Sequence, residues 1–333
     1  MNNLSTTKLP FPVEPGHDRH PVAGWLMSAA GHSGMYVIGF GSIVVFGVAG
    51  ELWGEIVGLL FFVIAIAILS FLLPTMIGLI ARGRRLRALP ADELLRREER
   101  APVVLLRSFN DDDLIDPTFT TTYKVVPGRY EDRLVEALAP LGPAIALGRP
   151  EEKEPQLGAA RMYVKDEYWQ HAITYLMERS TVVLAVVGGT PGLWWEIEFA
   201  IQQTPVERLL FFFPYPAPPR MRRSYWRAAF FQHQIWGRFI RRRLFSSMDT
   251  ERQARYKAFR ERVNNLLPRP LPEALGDVRF IAFSQDGQPV LINPAKPSIW
   301  TRVMTINLNP KMDIPFKREL QPFVAKRLKQ QAG

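Results

Sequence analysis

The chain has 333 residues, no cysteine and a formal net charge of +10. Without thiols, it cannot form disulfides, thiolate metal sites or iron–sulfur clusters, and it has no cysteine nucleophile. Its five histidines are scattered, and no pair has the spacing of metal ligands, so we predict no metal site. The isoelectric point near 9.9 indicates an anionic partner, either lipid head groups or nucleic acid.

Two uncharged runs, 34–50 and 56–81, follow an N-terminal tail of residues 1–33. A membrane-spanning helix needs about 20 apolar residues, so residues 34–81 predict two transmembrane helices with the acidic turn "ELWGE" between them. The basic linker helix at 82–100 places both termini in the cytoplasm. These features predict a multi-pass protein of the inner (plasma) membrane. The alternative is a buried helical hairpin; a signal peptide is disfavoured because a second apolar run follows at once.

Residues 101–215 alternate between strand-like and helix-like segments. The strand-like runs are "PVVLLRS", "PAIALG", "TVVLAVVG" and "RLLFFFP". Such alternation predicts an α/β fold, a flavodoxin-like parallel sheet with flanking helices and right-handed crossovers. In these sheets a ligand binds beyond the carboxyl ends of the strands.

Polar residues follow several of these runs, and they are therefore expected at one edge of the sheet. Arg107, Ser108 and Asp111 follow the first run, and Arg149 follows the second. Glu196 lies in the helix that follows the third. Neither a dinucleotide-binding glycine fingerprint nor a P-loop is present, and there is no nucleophile elbow.

The segment "TPGLWWEIEFAI" and the element order over 101–215 resemble the TIR-domain family and its membrane-anchored bacterial relatives. In the NAD-cleaving members, a glutamate that opens this helix is catalytic. Aligning the Glu-Ile pair makes Glu196 that residue. Giving priority to the tryptophan-to-glutamate spacing makes it Glu198, counted from Trp194. The resemblance implies a TIR-like fold and NAD⁺ as substrate, with no bound cofactor.

Cleavage of the bond between nicotinamide and ribose builds positive charge on the ribose carbon, which a nearby carboxylate stabilises. Tryptophan can stack on nicotinamide, and arginine can pair with phosphate. The alternative is that Glu196 faces solvent while the tryptophans fill the core. The expected nucleotide-binding residues are Arg107, Ser108, Asp111, Arg149, Arg161, Tyr163, Trp194 and Trp195.

Residues 216–333 form a basic extension. The stretch around 222–245 combines arginines with aromatic residues, which is typical of a helix lying on a membrane surface. A helical layer with solvated arginines is an equal alternative, and nucleic-acid binding is the less favoured interpretation. A charged helix, "ERQARYKAFRERVNNLL", follows, and then a β-hairpin around Asp286 and Gly287. The tail from Asn293 carries no recognisable element.

Two functions from different classes follow from the resemblance. The first is a membrane-anchored NAD⁺ glycohydrolase in bacterial stress or defence signalling. The second is a non-enzymatic, membrane-bound signalling or assembly module that binds a nucleotide or a protein partner. Relatives often assemble in order to act, so a homo-oligomer is expected in addition to the lipid bilayer as a partner.

Overall fold

A computed structural model describes six stretches of the chain. They fall into two compact units, one with the first two helices and the other with the sheet and the remaining helices. The described stretches are 9–15, 19–108, 130–148, 158–215, 237–293 and 316–332. The predicted interfacial segment around 222–245 therefore lies largely outside the described residues.

The first unit is a pair of long helices, α1 (Pro21–Trp53) and α2 (Glu55–Arg85). Proline occupies the first turn of α1, where a missing backbone N–H costs nothing. Gly54 joins the helices with a φ of 89°, a conformation that residues with a Cβ atom rarely adopt. The chain therefore reverses direction within one residue.

Small residues bring the backbones of α1 and α2 close together. A Cβ atom on Gly24 would lie 2.6 Å from the carbonyl oxygen of Gly83. Arg87 ties the same region, since it donates a hydrogen bond of 3.0 Å to Ser28 Oγ and one of 3.1 Å to the carbonyl of Gly83. The contact thus depends on glycine and on a buried serine.

The predicted membrane anchor is wrong. Among the described residues, no helix has the length and apolarity needed to cross a bilayer. The uncharged runs 34–50 and 56–81 lie within α1 and α2, which also include Ser28, His32 and a basic last turn with Arg82. The predicted multi-pass location in the inner membrane depended on these spans and is overturned with them.

The second unit is built on a seven-stranded mixed sheet in the order β3-β2-β1-β4-β5-β6-β7. The first five strands in this order are parallel, and β6 and β7 are antiparallel. The predicted α/β class and its four parallel strands are confirmed, and β3 is an additional strand. The strands are β1 (Val103–Leu106), β2 (Ala144–Leu147), β3 (Ala160–Met162), β4 (Val182–Val186), β5 (Leu209–Phe212), β6 (Phe280–Phe283) and β7 (Pro289–Ile292).

Helices cover both faces of the sheet, so nearly every residue of the central strands is buried. One core contains residues of α3, α5, α6 and α7, together with Phe11 from the N-terminal region. The other contains residues of α4 and α8. The helices are α3 (Ala91–Arg97), α4 (Tyr130–Leu138), α5 (Trp169–Arg179), α6 (Pro191–Gln203), α7 (Gly237–Val263) and α8 (Phe316–Ala332).

The C-terminal elements complete the sheet. The predicted hairpin is confirmed, since β6 and β7 pair antiparallel with Asp286 and Gly287 in the connecting turn. Helix α8 is attached to β6 by a buried ion pair between Arg279 and Glu319. Burial raises the pKa of Glu319, and the guanidinium of Arg279 opposes that rise.

The close approach of α1 and α2 predicts opposite effects for two glycine substitutions. Gly24→Ala should destabilise the helix pair by about 1–3 kcal/mol, because the new methyl group meets a backbone carbonyl that cannot move away. Gly39 has no neighbour within 4 Å of its Cβ position, so Gly39→Ala should stabilise the helix by about 0.5–1 kcal/mol. Chemical denaturation followed by circular dichroism measures both, and equal effects would contradict the packing.

Candidate functional site

The site lies where the strand order of the parallel sheet reverses. The chain passes from β1 outward to β2 on one side and returns to β4 on the other side of β1. In sheets with such a reversal, ligands bind at the carboxyl ends of the two strands that flank it, here β1 and β4. Arg107 and Ser108 follow β1 at this edge, and α6 begins at Pro191 shortly after β4.

Glu131, in the first turn of α4, forms ion pairs with two buried guanidinium groups. Its Oε2 lies 3.2 Å from Arg107 Nε, and its Oε1 lies 2.8 Å from Arg161 Nη1. The side chains of Arg107 and Arg161 are only 6% and 1% exposed. Because a buried charge is costly without a partner, the Glu131 carboxylate fixes both arginines and joins β1, β3 and α4.

A glycine makes room for this carboxylate. Gly158 has a φ of 121°, and a Cβ atom there would lie 2.6 Å from Glu131 Cγ and Oε1. The next residue, Ala159, donates its backbone N–H to Glu131 Oε1 at 2.9 Å. The start of β3 is therefore shaped around Glu131.

Glu196 lies on α6 as a half-buried carboxyl group. Burial raises its pKa to about 8, and the positive charge of Arg107 acts in the opposite direction. Within the described part of the chain, its carboxyl group makes no hydrogen bond and no close ion pair. Glu196 is therefore a poorly solvated acid near Arg107, the arginine that forms an ion pair with Glu131.

Glu198 has a different environment. Its Oε1 lies 2.5 Å from Arg262 Nε on α7, and the guanidinium of Arg262 lies 4.4 Å from the ring centre of Trp194. One arginine reaches both because residues four apart lie on the same face of a helix. Two residues of helix correspond to a rotation of about 200°, so Glu196 points away from this ion pair.

Both tryptophans of α6 are partly buried against the core. Trp194 stacks on Phe259 with ring centres 5.8 Å apart. Trp195 contacts Trp169 edge to face at 4.8 Å and stacks on Phe199 at 5.0 Å. Packing against the core therefore accounts for the presence of both tryptophans on α6.

The other predicted residues are divided between the site and its surroundings. Ser108 is buried directly after Arg107, and Tyr163 is buried with its ring against Gly148. Asp111 and Arg149 lie outside the described residues. The structure thus brings Arg107, Arg161 and Glu196 to one end of the sheet.

The residue that sequence reasoning missed is Glu131. Its only signal is its position as an acidic residue in the first turn of a helix, where the helix dipole favours negative charge. Many acidic residues satisfy that rule without any other role.

Comparison of the chain with protein-family models, curated proteins and solved structures finds no match. The role of the site is therefore inferred from its own residues. In the described ranges, no cluster of three or more histidine, aspartate or glutamate residues could hold a metal ion.

The ion cluster predicts a large stability effect at Glu131. Glu131→Gln should lower the free energy of unfolding by about 3–5 kcal/mol, because two buried guanidinium groups lose their counter-charge. Glu136→Gln, at an exposed position of the same helix, should change it by less than about 0.5 kcal/mol. Urea titration measures both variants, and a small effect at Glu131 would mean that the arginines are neutralised elsewhere.

The raised pKa predicts that Glu196→Gln becomes increasingly stabilising as the pH rises. Below the ordinary pKa of 4.5, the wild-type residue is protonated in both the folded and the unfolded chain. Between 4.5 and about 8, the unfolded chain releases this proton and the folded chain keeps it, so the wild type loses stability.

The stability advantage of Glu196→Gln over the wild type should therefore grow across that interval and level off above it. Since each unit corresponds to about 1.4 kcal/mol and the side chain is partly exposed, the plateau should be on the order of 2–4 kcal/mol. Urea titrations of both proteins across the pH range measure it. An advantage that does not vary with pH would contradict the raised pKa.

Proposed function

We propose that the chain cleaves NAD⁺ at the bond between nicotinamide and ribose, with Glu196 as the catalytic carboxylate. The observation that supports this most directly is the half-buried Glu196 carboxyl group, without an ion-pair partner among the described residues, at the end of the sheet where ligands bind. Glu198 is paired with Arg262, so it is the alternative and Glu196 is the favoured carboxylate.

The chemistry requires an anion beside the ribose. The C1′–N bond breaks, its electron pair leaves with nicotinamide, and positive charge develops on C1′ and the ring oxygen. Water then adds to C1′ and releases a proton, which gives ADP-ribose. An ionised Glu196 stabilises the charge at C1′, and the interaction is strengthened because water solvates this carboxylate poorly.

Arg107 has a supporting role in this proposal. Its charge favours the ionised form of Glu196, opposing the effect of burial. Because its own guanidinium is held by Glu131, Arg107 keeps a fixed position at the end of β1. The same positive charge suits the diphosphate of a dinucleotide.

The strand order agrees with a flavodoxin-like sheet of the kind expected for a TIR-like domain. When the three-residue β3 is left out, the parallel strands follow the order β2-β1-β4-β5. A flavodoxin-like sheet has its second strand beside the first and its third strand on the other side. This order supports the proposed fold type and says nothing about the reaction.

A second candidate is a non-enzymatic assembly module, and one observation favours it. Helices α1 and α2 expose many large apolar side chains, among them Tyr36 at 75%, Val37 at 70% and Ile56 at 86%. Monomers rarely expose so many large apolar side chains together. We infer that a second copy of this chain covers it, which agrees with the expected homo-oligomer.

The test is a comparison of two glutamate variants in the full chain, with nicotinamide release followed by chromatography. Glu196→Gln should lower the rate of NAD⁺ cleavage by about 100-fold or more, because the charge-stabilising anion is removed. Glu198→Gln removes only a partly exposed ion pair and should keep near-wild-type activity. Wild-type kcat/KM should rise with pH up to about 8, as Glu196 ionises.

The outcomes separate the two functions. Loss of activity in Glu198→Gln alone would assign the chemistry to the other carboxylate. The monomer and the oligomer of the wild type can be separated by gel filtration. If neither cleaves NAD⁺, the proposed enzymatic function is wrong and the assembly module is favoured. That module should be indifferent to Glu196→Gln, and its mass should depend on concentration.

A further inference from the structure

A pocket lies between the β6–β7 hairpin and helix α8, and none of its lining residues belongs to the site around Glu196. Its volume is about 260 Å³. Phe283, Leu291, Ile292 and Phe323 supply much of its apolar lining. Pockets that bind drug-sized ligands usually measure about 300–1,000 Å³, so this one suits a small molecule.

One buried cation lines this apolar pocket. Arg327 of α8 is only 9% exposed, and its guanidinium lies 5.9 Å from the ring centre of Phe323. Its Nη1 donates a hydrogen bond of 3.0 Å to Gln330 Oε1. Its Nη2 is buried and has no hydrogen-bond partner among the described residues. A charged donor in this situation is costly unless a ligand accepts from it.

The other charges at the pocket limit the kind of anion. Lys326 is exposed and lines the pocket beside Arg327, and Glu207 lines it as well. Burial lowers the pKa of Arg327, while the carboxylate of Glu207 raises it. An arginine keeps its charge in proteins, and Arg208 adds a further positive charge nearby, so the cations around the pocket outnumber the carboxylate of Glu207. This surplus of positive charge favours an anionic ligand.

We propose that this pocket binds a small monocarboxylate with an apolar body. The carboxylate pairs with the guanidinium of Arg327, and the apolar part lies against Phe283, Leu291 and Phe323. Carboxylates pair well with guanidinium groups, and burial of the hydrocarbon supplies the rest of the affinity. A short fatty acid and the carboxyl-terminal residue of an apolar peptide share this chemistry.

Calorimetry with the full chain and hexanoate tests the proposal. Hexanoate should bind saturably at concentrations up to about millimolar. Arg327→Met removes the charge and keeps an apolar side chain, and it should weaken binding at least tenfold, a change of about 1.4 kcal/mol. Lys329→Met is the matched control, since it removes a positive charge from an exposed position of the same helix that does not line the pocket. It should leave the affinity unchanged.

Further ligands identify the recognised group and its source. 1-Hexanol should bind at least about tenfold more weakly than hexanoate, and inorganic phosphate should not compete with it. N-acetyl-leucine probes the peptide terminus, and its affinity relative to hexanoate decides between the two sources. The proposal is overturned if hexanol binds as well as hexanoate, if Arg327→Met binds normally, or if hexanoate does not bind.

A second variant keeps the test decisive if Arg327→Met fails to fold. Val290→Trp places a bulky ring at a lining position that is 43% exposed on the hairpin, and it leaves Arg327 in place. It should abolish hexanoate binding while the thermal midpoint stays close to that of the wild type. Undiminished binding would show that the ligand lies elsewhere.

Discussion

The carboxylate of Glu131 is the constraint on which the carboxyl end of the sheet depends. It pairs with Arg107 after the central strand and with Arg161 in the edge strand, and both guanidinium groups are almost fully buried. Neither arginine could stay in that position without a counter-charge. The position of Arg107 in turn decides how strongly the ionised form of Glu196 is favoured. Burial raises the pKa of Glu196, and Glu131 on α4 acts on that pKa only through the opposing charge of Arg107.

Much of the central sheet could be predicted because its strands are buried on both faces. Such strands are continuous apolar runs, as in the segments that became β1, β2, β4 and β5. Strand β3 was not predicted because it has three residues, and one of them is the buried Arg161. Helix α8 was missed for a similar local reason, since Pro322 lies in its interior and indicates a helix end in a sequence.

The edge of the sheet that carries the site could be predicted, but the environment of each glutamate could not. Glu196 and Glu198 are two positions apart on α6, and helical periodicity alone leaves open which one faces the carboxyl ends of β1 and β4. The structure distinguishes them through Arg262, a residue of a different helix that pairs with Glu198. Contacts between residues so distant in the chain leave no pattern in a single sequence. The same is true of Glu131, whose partners come from two different strands.

The two edge strands of the sheet limit how copies of this chain can associate. On one side, β7 begins with Pro289, which has no backbone N–H to offer to a further strand. On the other, β3 is only three residues long, and the carbonyl of Tyr163 just beyond it already accepts the backbone N–H of Glu14. Edges of this kind resist the strand-to-strand pairing through which β-proteins aggregate. Association through side chains, rather than growth of a shared sheet, is therefore the route that this architecture leaves open.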